Sequence, residues 1–160
     1  MGLKSKTVKE LLDIRKNLKI LRKKVVMTNG CFDLLHGGHI HLFRAAKKYG
    51  DILIVALNDD ASITKIKGPH RPIFKLRERI EILEAVESID FLVSFKEETP
   101  EKLISRILPD VLVKGGDWGK DEIVGREEVE SAGGEVVVVP YLPGSSTTEI
   151  IEKVLQLNKS

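Results

Sequence analysis

Residues 25–43 read "VVMTNGCFDLLHGGHIHLF": an apolar, β-branched run that stops at Asn29-Gly30, a loop dense in glycine and histidine, and a segment that turns helical near Gly38. Residues 25–28 have the composition of a strand from the interior of a parallel sheet. In the segment that follows, Ile40, Phe43 and Ala46 recur at helical spacing and share one face. Strand, loop and helix in this order form the unit from which a parallel sheet is built. Four further apolar runs, at 52–57, 91–95, 111–113 and 136–139, repeat it with helical segments between them.

Ile80, Leu83 and Val86 mark one of those helices. Thr99 followed by Pro100 reads as an N-cap with proline at the first helical position, opening another helix towards Leu108. Gly133-Gly134 stops a segment at 127–132, and 147–157 forms a closing helix. Right-handed crossovers turn this alternation into an α/β fold: a Rossmann-like, doubly wound, five-stranded parallel sheet with helices on both faces. Residues 1–160 read as one domain, with 1–23 as an N-terminal helix packed on it. Val8, Leu11, Leu12, Leu18 and Leu21 form the packing face, and the basic residues between Lys4 and Lys24 line the wet face. Ligands of such sheets bind beyond the carboxyl ends of the strands, so a site is expected among the loops at 29–38, 58–76, 114–119 and 140–146.

Composition narrows the partners. Lysine and arginine total 26 against 24 acidic residues, and a net charge of +2 gives no general attraction to nucleic acid or to a membrane surface. An anion site must therefore be local. A single cysteine forms no internal disulfide, and no apolar run is long enough to span a bilayer, so the expected location is the cytoplasm.

Cys31, Asp33, His36 and His39 crowd the loop and the helix start, and three chemistries compete for them. Zinc asks for four ligands, whereas Cys31, His36 and His39 supply three at most and no second cysteine exists. A Cys/His nucleophile needs an activated thiolate, but a free cysteine just past a strand is often a small buried hydrophobe. A phosphate cradle needs no unusual chemistry. Gly30, Gly37 and Gly38 let the backbone approach a ligand, and a helix start offers unpaired N–H groups and a positive dipole end. His36 and His39, three apart, can present both imidazoles to one polyphosphate. The Walker pattern GxxxxGK[ST] is absent. The residues alone leave all three readings open.

The same stretch, "NGCFDLLHGGH", resembles the HxGH signature of the cytidylyltransferase-like nucleotidyltransferases, and Gly144, Ser146, Thr147 and Thr148 are similar to that family's second signature, GxSTT. Two signatures in the right order near opposite ends are more specific than either alone. The segments "KGPHRP", "EETPEKLI", "PDVLVKGGDW", "EIVG" and "GGEVVVVP" further resemble the branch that adenylylates a heptose 1-phosphate, over roughly residues 5–157. Glycerol-3-phosphate cytidylyltransferases usually carry threonine where this chain has Cys31, and Arg-Thr-Glu where it has Tyr141-Leu142-Pro143. That departure points away from CTP and implies that the Cys31 thiol does no chemistry. The sugar-kinase unit of bifunctional members has no counterpart here, so a stand-alone form is expected. The rivals are transfer from CTP to a polyol phosphate, transfer from ATP to flavin mononucleotide, and a nucleotide sensor without turnover.

What the resemblance implies for the site is an ATP molecule with accompanying Mg²⁺, a sugar 1-phosphate acceptor, and a homodimer. It makes His36, His39 and Lys67 catalytic, and no metal ligand is assigned. It sets Asn29, Gly30, Cys31, Phe32, Asp33, Gly38, Gly115, Asp117, Trp118, Gly144, Ser146, Thr147 and Thr148 around the nucleotide, with Asp33 ordering its loop. Arg71, Arg79 and Lys114 are expected to reach the substrate phosphate. His41 and His70 receive no role.

Overall fold

In the computed structural model, residues 2–116, 119, 122–140, 142 and 146–157 are described. The apolar runs form strands β1 (Val25–Gly30), β2 (Ile52–Asn58), β3 (Phe91–Phe95), β4 (Val111–Gly115) and β5 (Glu135–Val139). Every pairing is parallel, and the order across the sheet is β3-β2-β1-β4-β5. β1 therefore lies at the centre, with β2 on one side and β4 on the other. Such a strand must be apolar on both faces, which Val25, Val26 and Met27 satisfy with no exposure.

The helices are α1 (Val8–Ile20), α2 (Gly37–Lys47), α3 (Asp60–Lys67), α4 (Leu76–Glu84), α5 (Glu101–Ile107), α6 (Arg126–Ser131) and α7 (Thr147–Leu157). Strand alternation divides the core into two layers. Val25, Met27, Ile54 and Ala56 meet Leu11 of α1, Leu103, Ile104 and Ile107 of α5 and Val129 of α6. Val26, Leu53 and Val55 meet Leu42, Phe43 and Ala46 of α2 and Leu83 of α4. Helices cover both faces, as expected for a doubly wound sheet. Residues 4–6 run along β3, where Lys6 N donates to Leu92 O at 2.8 Å and Leu92 N to Lys4 O at 2.9 Å, covering part of that open edge.

Several local expectations are corrected. β1 and β4 continue two residues further, through Gly30 and Gly115, because strand pairing persists where the apolar composition stops (Gly30 with Leu57, Gly115 with Val139). Much of the expected loop at 58–76 is the helix α3, capped by Asp59, whose carboxylate accepts from Ser62 N at 2.8 Å. The β-branched Ile63, Thr64 and Ile66 hide that short helix from a propensity reading. Pro100 itself occupies the N-cap of α5, at φ −80° and ψ 5°, and Thr99 stands outside it. Leu21, expected on the packing face of α1, is its C-cap and 67% exposed.

The basic face of α1 also yields an exception. Arg15 is buried and donates to Leu108 O at 2.9 Å and to Asp110 Oδ1 at 2.8 Å, while Asp110 Oδ2 accepts from Val25 N at 2.7 Å. One carboxylate thus joins α1 to the amino ends of β1 and β4. Asp110→Ala leaves a buried guanidinium and a strand N–H without that acceptor, and denaturant titration is expected to show a loss of about 1–3 kcal/mol. An unchanged midpoint would remove Asp110 from this role.

Candidate active site

Strands β1 and β4 are neighbours, yet the chain leaves β1 towards α2 on one face and leaves β4 through the segment that leads to α6 on the other. This is the topological switch point, where the connections diverge and a crevice opens above the strand ends. A cleft of about 340 Å³ lies there. Asn29, Gly30, Cys31, Phe32 and Asp33 from the end of β1 line it, with His36, Gly38 and His39 from the α2 start and Lys114 and Gly115 from β4. Lys67 and Arg71 flank it on one side, and Ser146, Thr147 and Thr148 on another. Two sequence-distant signatures thus meet in one hollow. A larger hollow of about 470 Å³ between α5 and α6 is lined, among the described residues, by Glu101, Glu127, Glu128 and Glu130 against one cation, Arg126. Its charge repels a polyphosphate.

α2 begins with Gly37, and its first return bonds run from His39 N and Ile40 N to His36 O at 3.0 and 3.3 Å. The N–H groups of Gly37 and Gly38 precede these bonds at the positive end of the helix, an arrangement suited to an anion. His36 is the N-cap residue but makes no side-chain capping bond. Its imidazole instead stacks on that of His39, centroids 3.7 Å apart and planes 24° from parallel. Nδ1 of each ring is buried without a well-formed hydrogen bond. Gly30 is required sterically, since a Cβ there would sit 2.9 Å from the tip of the Phe32 ring.

Among the described lining residues the one carboxylate, Asp33, is already engaged. Asp33 is 2% exposed and accepts from Arg71 Nε at 2.6 Å, Ile73 N at 2.8 Å and Phe74 N at 2.9 Å. Burial alone would raise its pKa, but these donors outweigh it and hold the carboxyl below its ordinary value. Asp33 therefore orders the loop that carries Arg71. Ser146 is similarly engaged: its hydroxyl accepts from Glu149 N at 3.1 Å, and Glu149 accepts from Ser146 N at 3.0 Å, a reciprocal cap on α7. Thr147 and Thr148 line the cleft beside it.

The cations stand differently. Lys67 is the last residue of α3 rather than part of a loop, followed by Gly68 at φ 99°. Lys114 Nζ lies 3.5 Å from Asn29 Oδ1, and burial pulls its pKa below the usual lysine range. Burial likewise pushes the Cys31 thiol up, against the pull of Lys67, Arg79 and Arg71. A raised pKa means little thiolate at neutral pH, the opposite of what a nucleophilic cysteine needs.

Arg79 requires a correction. It does not line the cleft; its side chain is fully buried and donates to Cys31 O, Asn58 O, Phe74 O and Asp60 Oδ1. With those N–H groups committed inside the protein, it does not reach a ligand phosphate. Asp117, Trp118 and Gly144 lie outside the described residues. Leu42, Val139 and Pro140 are lining residues that the sequence reading missed. Their only signal is position: Val139 and Pro140 follow a strand end, and Leu42 lies one turn after His39.

Among the described residues no group of three or more His, Cys, Asp or Glu side chains is arranged to hold a metal ion, and Asp33 is committed elsewhere. The donor set does not fit a resident metal. Burial lowers the pKa of His36, and burial plus the neighbouring His36 lowers that of His39 to about 4, with the Leu34 carbonyl opposing. Both rings are neutral at pH 7. Because the folded-state value of His39 lies below the ordinary 6.5, the unfolded chain takes up the proton more readily. The contribution of His39 to stability is therefore complete above about pH 6.5 and falls as pH drops towards 4, by up to about 3 kcal/mol. His39→Asn is expected to flatten this part of the stability profile; a slope identical to that of the parent protein would contradict it.

The cytidylyltransferase-like family model matches residues 27–153. The chain is 50% identical over 145 residues to the bifunctional protein HldE of Chromohalobacter salexigens, covering 91% of this chain and 30% of that protein. It is 54% identical over 132 residues to bifunctional protein HldE of Salmonella paratyphi A, covering 82% and 28%. The chain thus spans less than a third of these curated relatives. Among solved structures, the lipopolysaccharide core biosynthesis protein of Thermoplasma volcanium superposes with a TM-score of 0.61 at 30% identity, covering 75% of this chain and 97% of that one. Pantoate-beta-alanine ligase of Francisella tularensis, with a TM-score of 0.62 at 17% identity over 99% of this chain and 80% of that one, shares the fold. With the described residues of both signatures in one cleft and the family match running through them, the chain belongs to the cytidylyltransferase-like nucleotidyltransferases.

Proposed function

We propose that the protein transfers AMP from ATP to D-glycero-β-D-manno-heptose 1-phosphate, releasing pyrophosphate and forming ADP-heptose. The observation that carries this reading is the stacked His36–His39 pair at the α2 start, facing a cleft edged by Lys67, Arg71 and Lys114. Kinship with HldE and with a lipopolysaccharide core biosynthesis protein supports the choice of acceptor. A cytoplasmic homodimer belongs to the same reading. Among the described residues no helix is long and apolar enough to cross a membrane.

In this reading an oxygen of the sugar phosphate forms a bond to the α-phosphorus while the bond from that phosphorus to the pyrophosphate oxygen breaks. A phosphate monoester, with a second pKa of about 6, is largely ionised at neutral pH, so the nucleophile needs no general base. That fits a cleft whose carboxylate is locked against Arg71. Catalysis is then positioning and charge stabilisation. The neutral histidines donate to phosphate oxygens, and the Gly37 and Gly38 N–H groups and Lys67 offset the charge building on pyrophosphate. Lys114 and Arg71 hold the remaining phosphate, and Thr147 and Thr148 grip the triphosphate from α7. If Mg²⁺ accompanies ATP as part of the substrate, it would offset some of the triphosphate charge, and no described residue of this chain is assigned to hold it.

Pyrophosphate release from ATP with the heptose phosphate is the direct test. Turnover with CTP and glycerol 3-phosphate, and none with this pair, would sink the assignment. Within the site, His36→Ala and His39→Ala should each lower the rate by about 10²–10³, the scale of one lost oxyanion-type donor. Cys31→Ser should stay far closer to the parent rate. A folded Cys31→Ser as inactive as His36→Ala would reverse the roles.

A further inference from the structure

Arg79 is not itself a lining residue of the cleft, yet among the described residues it is the largest fully buried side chain. We propose that Arg79 is a positioning residue that fixes the histidine half of the cleft against the lysine half. The inference rests on the reaction proposed above only for its kinetic readout; its structural readout stands alone.

Burying a guanidinium costs several kcal/mol unless its N–H groups are matched. Here the match spans four segments. Nη1 donates to Cys31 O at 2.7 Å and Asn58 O at 2.9 Å, Nε to Phe74 O at 3.1 Å and Nη2 to Asp60 Oδ1 at 2.9 Å. Cys31 is the first residue beyond β1, Asn58 ends β2, residue 74 precedes α4, and Asp60 opens α3. A purely space-filling residue would need none of these directions.

Towards the histidines, the Cys31 carbonyl belongs to the peptide that leads into Phe32, which stands at φ 46°. Left-handed backbone is unfavourable for a bulky residue and persists only where neighbours over-determine it. The Arg79 bond pins the carbonyl on one side of that residue. On its other side, Asp33 is clamped by Arg71 and the 73–74 backbone. So held, the Phe32 ring stands edge-on to His39 at 5.2 Å and 80° and packs on Phe43 at 5.1 Å. The imidazole stack rests on that ring.

Towards the lysine, Asp60 takes Arg79 Nη2 and also Leu76 N at 2.9 Å. It is the first residue of the helix whose last residue is Lys67. Eight residues of helix act as a rod about 12 Å long, so a shift at Asp60 moves the Lys67 end with it. One guanidinium thereby sets two groups that reach the cleft from different helices, His39 from α2 and Lys67 from α3. Lysine cannot substitute, because a single Nζ does not span acceptors that three nitrogens divide among themselves.

The test compares Arg79→Lys and Asp60→Asn with the parent in three measurements: melting temperature, kcat and KM for both substrates, and imidazole ¹H–¹⁵N spectra of the ligand-free protein. Expected are a kcat loss of about 10²-fold in Arg79→Lys and a smaller one in Asp60→Asn, with KM values within a few-fold, as for misplaced catalytic groups. The His39 ring signals should move in Arg79→Lys while those of exposed His41 stay. A lower melting temperature with unchanged kcat per folded molecule would overturn the role, as would a rise in KM for the sugar phosphate alone. If Arg79→Lys does not fold, Asp60→Asn decides, and an unchanged kcat there overturns the proposal. If the parent shows no adenylyl transfer, the reaction falls, and the ring signals still decide: unmoved His39 signals in the folded variants overturn the positioning role.

Discussion

The structure depends on one constraint, the pairing of β1 with β4 as parallel neighbours whose onward chains part to opposite faces of the sheet. Side chains cannot fill the space above that parting, because the backbone that would carry them has turned away on both sides. The cleft is what remains. Its floor must be close-packed backbone, which is why Gly30 and Gly115 stand there: a Cβ on the first meets the Phe32 ring, and on the second it lies 3.1 Å from Leu42. Its wall is the start of α2, so unpaired N–H groups enter the cleft as a consequence of topology.

Electrostatics then specialise the hollow. A chain with a net charge of only +2 has no broad field to draw a polyanion. In the proposed reaction a polyanion is drawn by Lys67, Arg71 and Lys114 set around one cleft, while the Asp33 carboxylate is offset by Arg71 and two backbone donors. Burial favours the uncharged form of His36 and His39, which in the proposed reaction makes them hydrogen-bond donors to the developing phosphoryl charge. The same burial makes Cys31 a poor nucleophile despite its place in the lining. A single loop could have housed several chemistries, and its surroundings leave one well supported.

How much of this the sequence carried differs by element. The five strands were readable because a central parallel sheet demands uninterrupted apolar runs, and the two signatures were readable because their spacing is local. α3 was not, since three β-branched residues in eight mask a helix whose stability comes from Asp59, Asp60 and Arg79. Arg15 was expected on the wet face of α1 and Arg79 at the substrate phosphate for a related reason. Helical periodicity reports apolar faces, and a buried arginine satisfied by carbonyls leaves no trace in it. Leu42, Val139 and Pro140 shape the cleft by volume, which no residue pattern encodes.

The central claim is that a polyphosphate sits against the neutral His36–His39 stack, and the most direct measurement is the pH titration of ring ¹⁵N signals with and without a non-hydrolysable ATP analogue. The four histidines are resolvable probes, of which His41 is exposed on the solvent side of α2. Without ligand, His39 should remain neutral until about pH 4. With ligand its titration should move upward and His36 should shift with it, because an adjacent polyanion favours imidazolium. Saturable binding of the analogue that leaves both His36 and His39 unmoved would contradict the account.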